Sequence, residues 1–301
     1  MIKKLKNKLS SLLHQKQKSE KLDLFFVNGL SQKMRPALEW LIREVCDEDT
    51  KSTIEKVERR RKEIASYEKK ELPIWYSPKP GSAGLDTSLD ARPMPGKVLR
   101  FTMERVAATG KNKRWGAALY LIARGFESKV IFELGACAGI SAMYLASAQN
   151  VKTLITVEGS EALANLAKKS LQTYQGVKVV NKLFDEAIDT ELSLLGKKVD
   201  LVYVDGHHEK TATIHYFNRV LPFLKGGAVV LFDDISWSYD MRDAWKEVSR
   251  RLEFSDAMDL GEIGVCIVKQ GAVNDNIEPK YWDLQPILGR ARIGDPHGWK
   301  Q

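Results

Sequence analysis

A doubly wound α/β architecture is the fold class this sequence predicts, and three observations predict it. Short apolar runs recur from residue 129 onward and alternate with helical stretches. A glycine-rich turn follows the first of these runs. The last two runs are separated only by a short turn containing Gly261, so they read as a hairpin. Strands apolar on both faces and separated by helices belong to a parallel sheet covered on both sides. The expected α/β domain is therefore Rossmann-like, with a seven-stranded, mainly parallel sheet, an antiparallel C-terminal hairpin and a helical N-terminal extension.

The N-terminal part carries helical apolar spacing. Leu5, Leu9, Leu12 and Leu13 mark a first basic helix, and Met34, Leu38, Leu41 and Val45 a second. A charged helix over about Ser52–Lys70 follows. Pro73, Pro78, Pro80, Gly81, Gly84, Pro93 and Pro95 then punctuate a linker over 73–95. The strands expected next are Lys129–Leu134, Thr153–Val157, Val177–Val180, Asp200–Val204, Ala228–Phe232, Phe254–Leu260 and Gly264–Val268. Between them fall helices at Trp115–Arg124, Ser141–Ala148, Glu161–Gln172, Thr211–Leu221 and Met241–Arg251. Three regions result: a helical extension over 1–105, a ligand-binding domain over 106–270 and a tail over 271–301.

Composition narrows the class. Of 301 residues 44% are hydrophobic and 29% charged, the balance of an ordinary globular chain, and no apolar run approaches a bilayer span. The start, MIKKLKNKLSSLL, has neither the continuous apolar stretch nor the cleavage site of a secretory signal. Cys46, Cys137 and Cys266 are odd in number and far apart, which fits a reducing cytoplasm and excludes a CxxC zinc site. Residues 1–70 hold 18 Lys+Arg against 11 Asp+Glu, so nearly all of the +8 net charge lies at this end. Such an excess suits a solvated helical face first. It also suits an acidic partner or an anionic membrane surface, for which the basic amphipathic segment Met1–Lys21 is shaped. Aromatic residues are not interleaved with it, so there is no strong nucleic-acid signal. The N-terminal helices are open to use as a lid, a membrane contact or the interface of a homo-oligomer.

The chemistry concentrates at strand ends. Glu133 runs into Gly135-Ala136-Cys137-Ala138-Gly139, where glycines let the backbone turn sharply and approach a ligand at the carboxyl edge of the sheet. The spacing is GxxxG and not the GxGxxG of dinucleotide enzymes. The second strand ends at Glu158, where a carboxylate can accept both hydroxyls of a ribose or serve a helix N-terminus. Asp185, after the third strand, is placed to meet a nucleoside base or to cap a helix. Asp205-Gly206-His207-His208 ends the fourth strand and Asp233-Asp234 the fifth, so these side chains converge on one edge. Clustered carboxylates repel unless a cation or proton sits among them. Asp205, Asp233 and Asp234 suit Mg²⁺, or His207 or His208 bonds to them with no metal. Trp237, Tyr239, Met241 and Trp245 follow and either wall a pocket or pack the next helix. Arg114 and Trp115, and the tail GRARIGDPHGWKQ, either close over the site or lie apart from it.

The order of these motifs over about residues 113–270 resembles class I S-adenosylmethionine-dependent methyltransferases. VDGHH and LKGGAVVLFDDISWS make it similar to the small-molecule O-methyltransferases of the catechol, caffeoyl-CoA and macrolide-sugar type. The resemblance implies that Glu133, Gly135, Ala136 and Gly139 line the methionine end of the cofactor. Glu158 would hold its ribose, and Asp185 and Asp205 would complete the site. It also implies Mg²⁺ on Asp205, Asp233 and Asp234, and a small hydroxyl-bearing acceptor such as a sugar. His207 stands where the sugar enzymes have an Asp base, His208 matches the histidine of a DGxH pattern, and Ser236 replaces the His of DDIHWS. His207 is thus the first candidate for the base and His208 the second. Competing functions are a nicotinamide or flavin oxidoreductase, a non-catalytic binding protein, and a methyltransferase acting on RNA or protein. The GxxxG spacing and hairpin speak against the first, the complete motifs against the second, and the missing [DN]PP[YF] signature against base amino groups for the third.

Overall fold

The computed structural model describes residues 2–67, 71–76, 97–196, 198–271, 277–291 and 293, with side chains described from Gln15 onward except at 76 and 97. Helix α1 (Ile2–Val27) is followed by a 3-10 turn (Gln32–Met34), α2 (Arg35–Arg43) and α3 (Glu48–Ala65). The third helix starts four residues earlier than its apolar spacing suggests, because the Asp47 side chain accepts from the Thr50 amide and caps it. Lys51, Lys56, Arg59 and Lys62 are exposed, Arg60 and Arg61 turn inward with side chains 16% exposed, and Val57 and Ile64 are buried. Whether Met1–Lys21 contacts a membrane turns mainly on side chains outside the described residues. Among the described residues no helix is long and apolar enough to cross one.

Part of the expected linker is strand. Residues 71–76 form β1 (Glu71–Tyr76), paired antiparallel with β2 (Lys97–Thr102), and the rest of the linker lies outside the described residues. Pro73 is tolerated because this two-stranded ribbon leaves one side of each strand unpaired, so a missing amide costs no ladder bond there. Helices α4 (Met103–Thr109) and α5 (Lys113–Gly125) lead into the main sheet.

That sheet runs through β3 (Val130–Leu134), β4 (Thr153–Val157), β5 (Val177–Val180), β6 (Val199–Val204), β7 (Leu224–Phe232), β8 (Phe254–Asp259), β9 (Gly264–Val268) and β10 (Lys280–Asp283). The spatial order is β10-β8-β9-β7-β6-β3-β4-β5. β3 to β7 are mutually parallel, and β9 is antiparallel to both β7 and β8. The connecting helices are α6 (Ile140–Ala146), α7 (Glu161–Leu171), α8 (Phe184–Ala187), α9 (Ser193–Leu195), α10 (Lys210–Val220) and α11 (Tyr239–Val248).

The expected seven strands are present, and β10 is an eighth, drawn from the region read as tail. It lies parallel to β8, and α12 (Gln285–Leu288) follows it. Its KYWD sequence lacks the apolar run of a central strand, but it needs none at an edge. Trp282 Nε1 donates to Asp256 Oδ1 at 3.0 Å, and Leu284 and Ile287 bury beside it. Most of GRARIGDPHGWKQ lies outside the described residues.

Alternation along the strands divides the core into two layers. Ile131, Leu201, Tyr203, Val229 and Leu231 pack with the N-terminal helices, α5 and α6. Phe132, Leu134, Val202, Val204, Val230 and Phe232 pack on the opposite face with α10 and α11. The N-terminal extension thus shares one apolar layer with the sheet.

Candidate active site at the carboxyl edge of the sheet

The strand order reverses beside β3, and the carboxyl ends of the strands at such a reversal are where open α/β sheets bind ligands. The strand ends are tied together by their own backbones. Gly135 and Ala136 N–H both donate to Val157 O, Asp205 N–H to Leu134 O, and Asp233 N–H to Val204 O. Gly135 has φ +107°, and a Cβ there would stand 1.8 Å from the Asp205 carbonyl oxygen, so no other residue fits this turn. Of six non-glycine residues with positive φ among those described, Cys137, His207, His208 and Asp234 are all at this edge. Such strained backbone persists where the surroundings over-determine it, commonly at functional sites.

Two carboxylates occupy the β3 and β4 ends. Glu133 is fully buried, and Thr156 Oγ1 donates to its Oε2 at 2.5 Å. Its Oε1 is buried without a well-formed hydrogen bond, although the Ser141 hydroxyl is a neighbour. Burial pushes this carboxyl up to about 7. Glu158 accepts from the amides of Cys137 at 2.8 Å and Ser160 at 2.9 Å, one on each oxygen. Those amides fix the carboxylate while leaving lone pairs for a ligand, and burial raises it too to about 7. Gly139, with φ +83°, caps α6 between them.

Asp185 opens α8 but is engaged elsewhere. His215 Nε2 lies 2.7 Å from its Oδ1, and Arg219 lies 3.4 Å from the same oxygen. Its pKa is lowered because the His215 hydrogen bond and the positive charges outweigh burial, the largest single influence.

The two histidines part company. The His207 ring packs edge-on against Phe184 and Tyr216, with centroids 5.7 Å apart in both pairs. His208 turns to the acidic side, where its Nε2 lies 3.7 Å from Asp205 Oδ1 and 3.7 Å from Asp234 Oδ2. Trp237 stacks on the His208 ring at 5.5 Å. Consecutive left-handed residues, φ +62° and +38°, send the neighbouring side chains to different places. Trp245 and Met241 are buried in packing, and Tyr239 is exposed. Trp115 is core, and Arg114 donates to the Leu41 and Leu288 carbonyls.

Lys111 completes the acidic side. Only 6% exposed, it places Nζ 2.7 Å from Asp233 Oδ1, 2.8 Å from Glu262 Oε1 and 3.5 Å from Asp234 Oδ1. Burial alone would lower its pKa, but the facing carboxylates outweigh it and hold the ammonium well above its usual value. Burial, and next the Asp233 carboxylate, push Asp205 well above the ordinary carboxylate range. Asp233, Asp234 and Glu262 form the group among the described residues whose oxygens all lie within 4.8 Å of one another. Asp205 is not part of that trio. Neither Lys111 nor Glu262 is conspicuous in the sequence, since Lys111 sits in the charged run KNKR and Glu262 in a hairpin turn.

Comparison with known proteins finds similarity to methyltransferases. Residues 132–235 match the family described as a methyltransferase domain. The catechol O-methyltransferase of Mycobacterium tuberculosis is 25% identical over 134 residues, which is 44% of this chain and 59% of that protein's length. Solved structures resembling the chain include the Bacillus cereus O-methyltransferase with S-adenosylhomocysteine, at 19% identity, TM-score 0.48, 56% of this chain and 88% of that one. Another is the S-adenosylhomocysteine-bound Podospora anserina methyltransferase PaMTH1, at 18% identity, TM-score 0.44, 55% of this chain and 82% of that one. Over residues 132–235 the chain is similar to a methyltransferase domain, and that segment holds the parallel strands whose ends form the candidate site.

Proposed function

We propose that the chain transfers a methyl group from S-adenosylmethionine to a hydroxyl of a small molecule. The observation that carries the reading is His208 Nε2 poised between Asp205 and Asp234 on the same sheet edge as the amide-held Glu158 carboxylate. The buried, incompletely bonded Glu133 and the Gly135–Gly139 turn fit the amino-acid end of that cofactor, and Glu158 fits its ribose. Asp185 is a weaker member of this set, because His215 and Arg219 already claim its carboxylate.

When bound, S-adenosylmethionine supplies an electrophilic methyl carried on a sulfonium. The protein's work is to hold an acceptor oxygen in line with it and to remove the hydroxyl proton. His208 Nε2 is placed to accept that proton, and the Asp234 carboxylate beside it stabilises the imidazolium that results. Trp237 holds the ring's plane. His207, set among Phe184 and Tyr216, is suited to shaping the crevice wall near α8.

Mg²⁺ assistance, expected for Asp205, Asp233 and Asp234, fits the side chains poorly. The ammonium of Lys111 already stands among Asp233, Asp234 and Glu262, so no step here is assigned to a metal. Calorimetry with S-adenosylhomocysteine, followed by methyl-transfer assays on catechol and on sugar hydroxyls, tests the function. No binding of the nucleoside would sink it.

Glu158 gives the reading a pH signature. A ribose hydroxyl donates to a carboxylate better than to a carboxylic acid, and this carboxyl ionises near 7. S-adenosylhomocysteine affinity should therefore rise up to about tenfold from pH 6 to pH 8. Glu158→Ala should weaken binding at pH 8 by roughly 10–150-fold, the worth of one hydrogen bond to a charged group. Glu158→Gln should flatten the pH profile. A slope that persists in Glu158→Gln would move the effect to Glu133 and remove Glu158 from the ribose site.

A further inference from the structure

Three carboxylates packed against one another below the surface need a cation, and this chain supplies one of its own. The Lys111 ammonium has three N–H donors and meets Asp233, Glu262 and Asp234 at 2.7, 2.8 and 3.5 Å. Its position is built in from the N-terminal extension. Arg61 on α3 donates from Nη1 to the carbonyls of Ala107 at 2.7 Å and Gly110 at 3.1 Å, and from Nη2 to the Lys111 carbonyl. Glu58 fixes Arg61 at 3.0 Å and in turn accepts from Tyr144 Oη at 3.0 Å. The loop bearing Lys111 is thus clamped on its backbone, and the side chain has one direction in which to point.

A divalent ion held by the same oxygens would stand about 2.0–2.6 Å from each. That volume is the one the ammonium fills, so the two cations exclude each other. We propose that Lys111 is a resident cation replacing the divalent metal, that the site takes up no Mg²⁺, and that removing the ammonium converts Asp233, Asp234 and Glu262 into a divalent-cation site. The proposal rests on the reading of this cluster as the acceptor end of a methyl-transfer site. The two can fail separately, because metal uptake and nucleoside binding are measured apart.

The experiment is a titration of the full chain with Mn²⁺ alone, following the free-ion electron paramagnetic resonance signal. The wild-type chain should leave the signal at its protein-free level up to about 1 mM, well above the affinities of dedicated cation sites. Lys111→Ala and Lys111→Met should each sequester one equivalent, and adding Asp233→Asn should abolish that uptake. Wild-type uptake of one equivalent, lost in Asp233→Asn, overturns the proposal. So does a Lys111 variant that folds, by circular dichroism, and still takes up none. Should neither Lys111 variant fold, the wild-type and Asp233→Asn titrations decide alone. A parallel S-adenosylhomocysteine titration reports on the methyltransferase reading whatever the metal result.

Discussion

Replacing His208 with alanine is expected to lower turnover by roughly 10²–10⁴-fold while leaving S-adenosylhomocysteine affinity within about threefold. The imidazole is placed for a proton rather than for the nucleoside. Its Nε2 faces Asp205 and Asp234, each at 3.7 Å, and its ring is backed by Trp237. A proton taken from the acceptor hydroxyl leaves a cation beside Asp234, and that carboxylate favours the charged product of the transfer. Loss of the ring removes that sink and leaves the hydroxyl a poor nucleophile. His207→Ala is the natural contrast, with an expected loss below about tenfold, since its ring packs against Phe184 and Tyr216. Steady-state kinetics on both variants, with added imidazole as a rescue of His208→Ala, decide the matter. A loss below tenfold for His208→Ala, or a larger loss for His207→Ala, would move the base to His207.

The sheet was readable because its physics is local. Runs such as VIF within KVIFEL, and AVVLF, are apolar on both alternating faces, as strands covered on both sides are, and Gly135 stands where a sharp strand-to-helix turn requires positive φ. The acids at strand ends were readable for a similar reason, since parallel neighbours finish on one edge. What escaped depends on long-range geometry. Lys111 meets Asp234 across 123 positions and Glu262 across 151, and nothing in the run KNKR marks which lysine turns inward. The choice between His207 and His208 rests on two successive left-handed residues, which adjacency in sequence does not reveal. β10 escaped because an edge strand with one partner needs no apolar alternation, and Pro73 read as a breaker although a two-stranded ribbon accommodates it.

Lys111→Met should destabilise the fold by about 3–5 kcal/mol, because it strips the counter-charge from carboxylates that stay buried. For a chain of this size that corresponds to a fall of about 5–15 °C in Tm. The dependence on pH separates this cause from a simple packing defect. In the wild-type chain the Lys111 pKa is raised by its acids, so its stabilising contribution is fully present below the ordinary lysine pKa and is lost only as pH rises through the folded value. It is constant across neutral pH. In Lys111→Met the unpaired carboxylates are pushed above their unfolded values, and that shift favours the protonated folded state. The deficit should then be small near pH 5 and grow as pH rises toward 8. Pairing the variant with Asp233→Asn should recover part of the loss by removing one of the stranded charges. Thermal unfolding of the single and double variants at pH 5 and pH 8 measures all of this. A deficit of equal size at both pH values would mean that methionine merely packs badly, and that the ammonium does not hold the acids together.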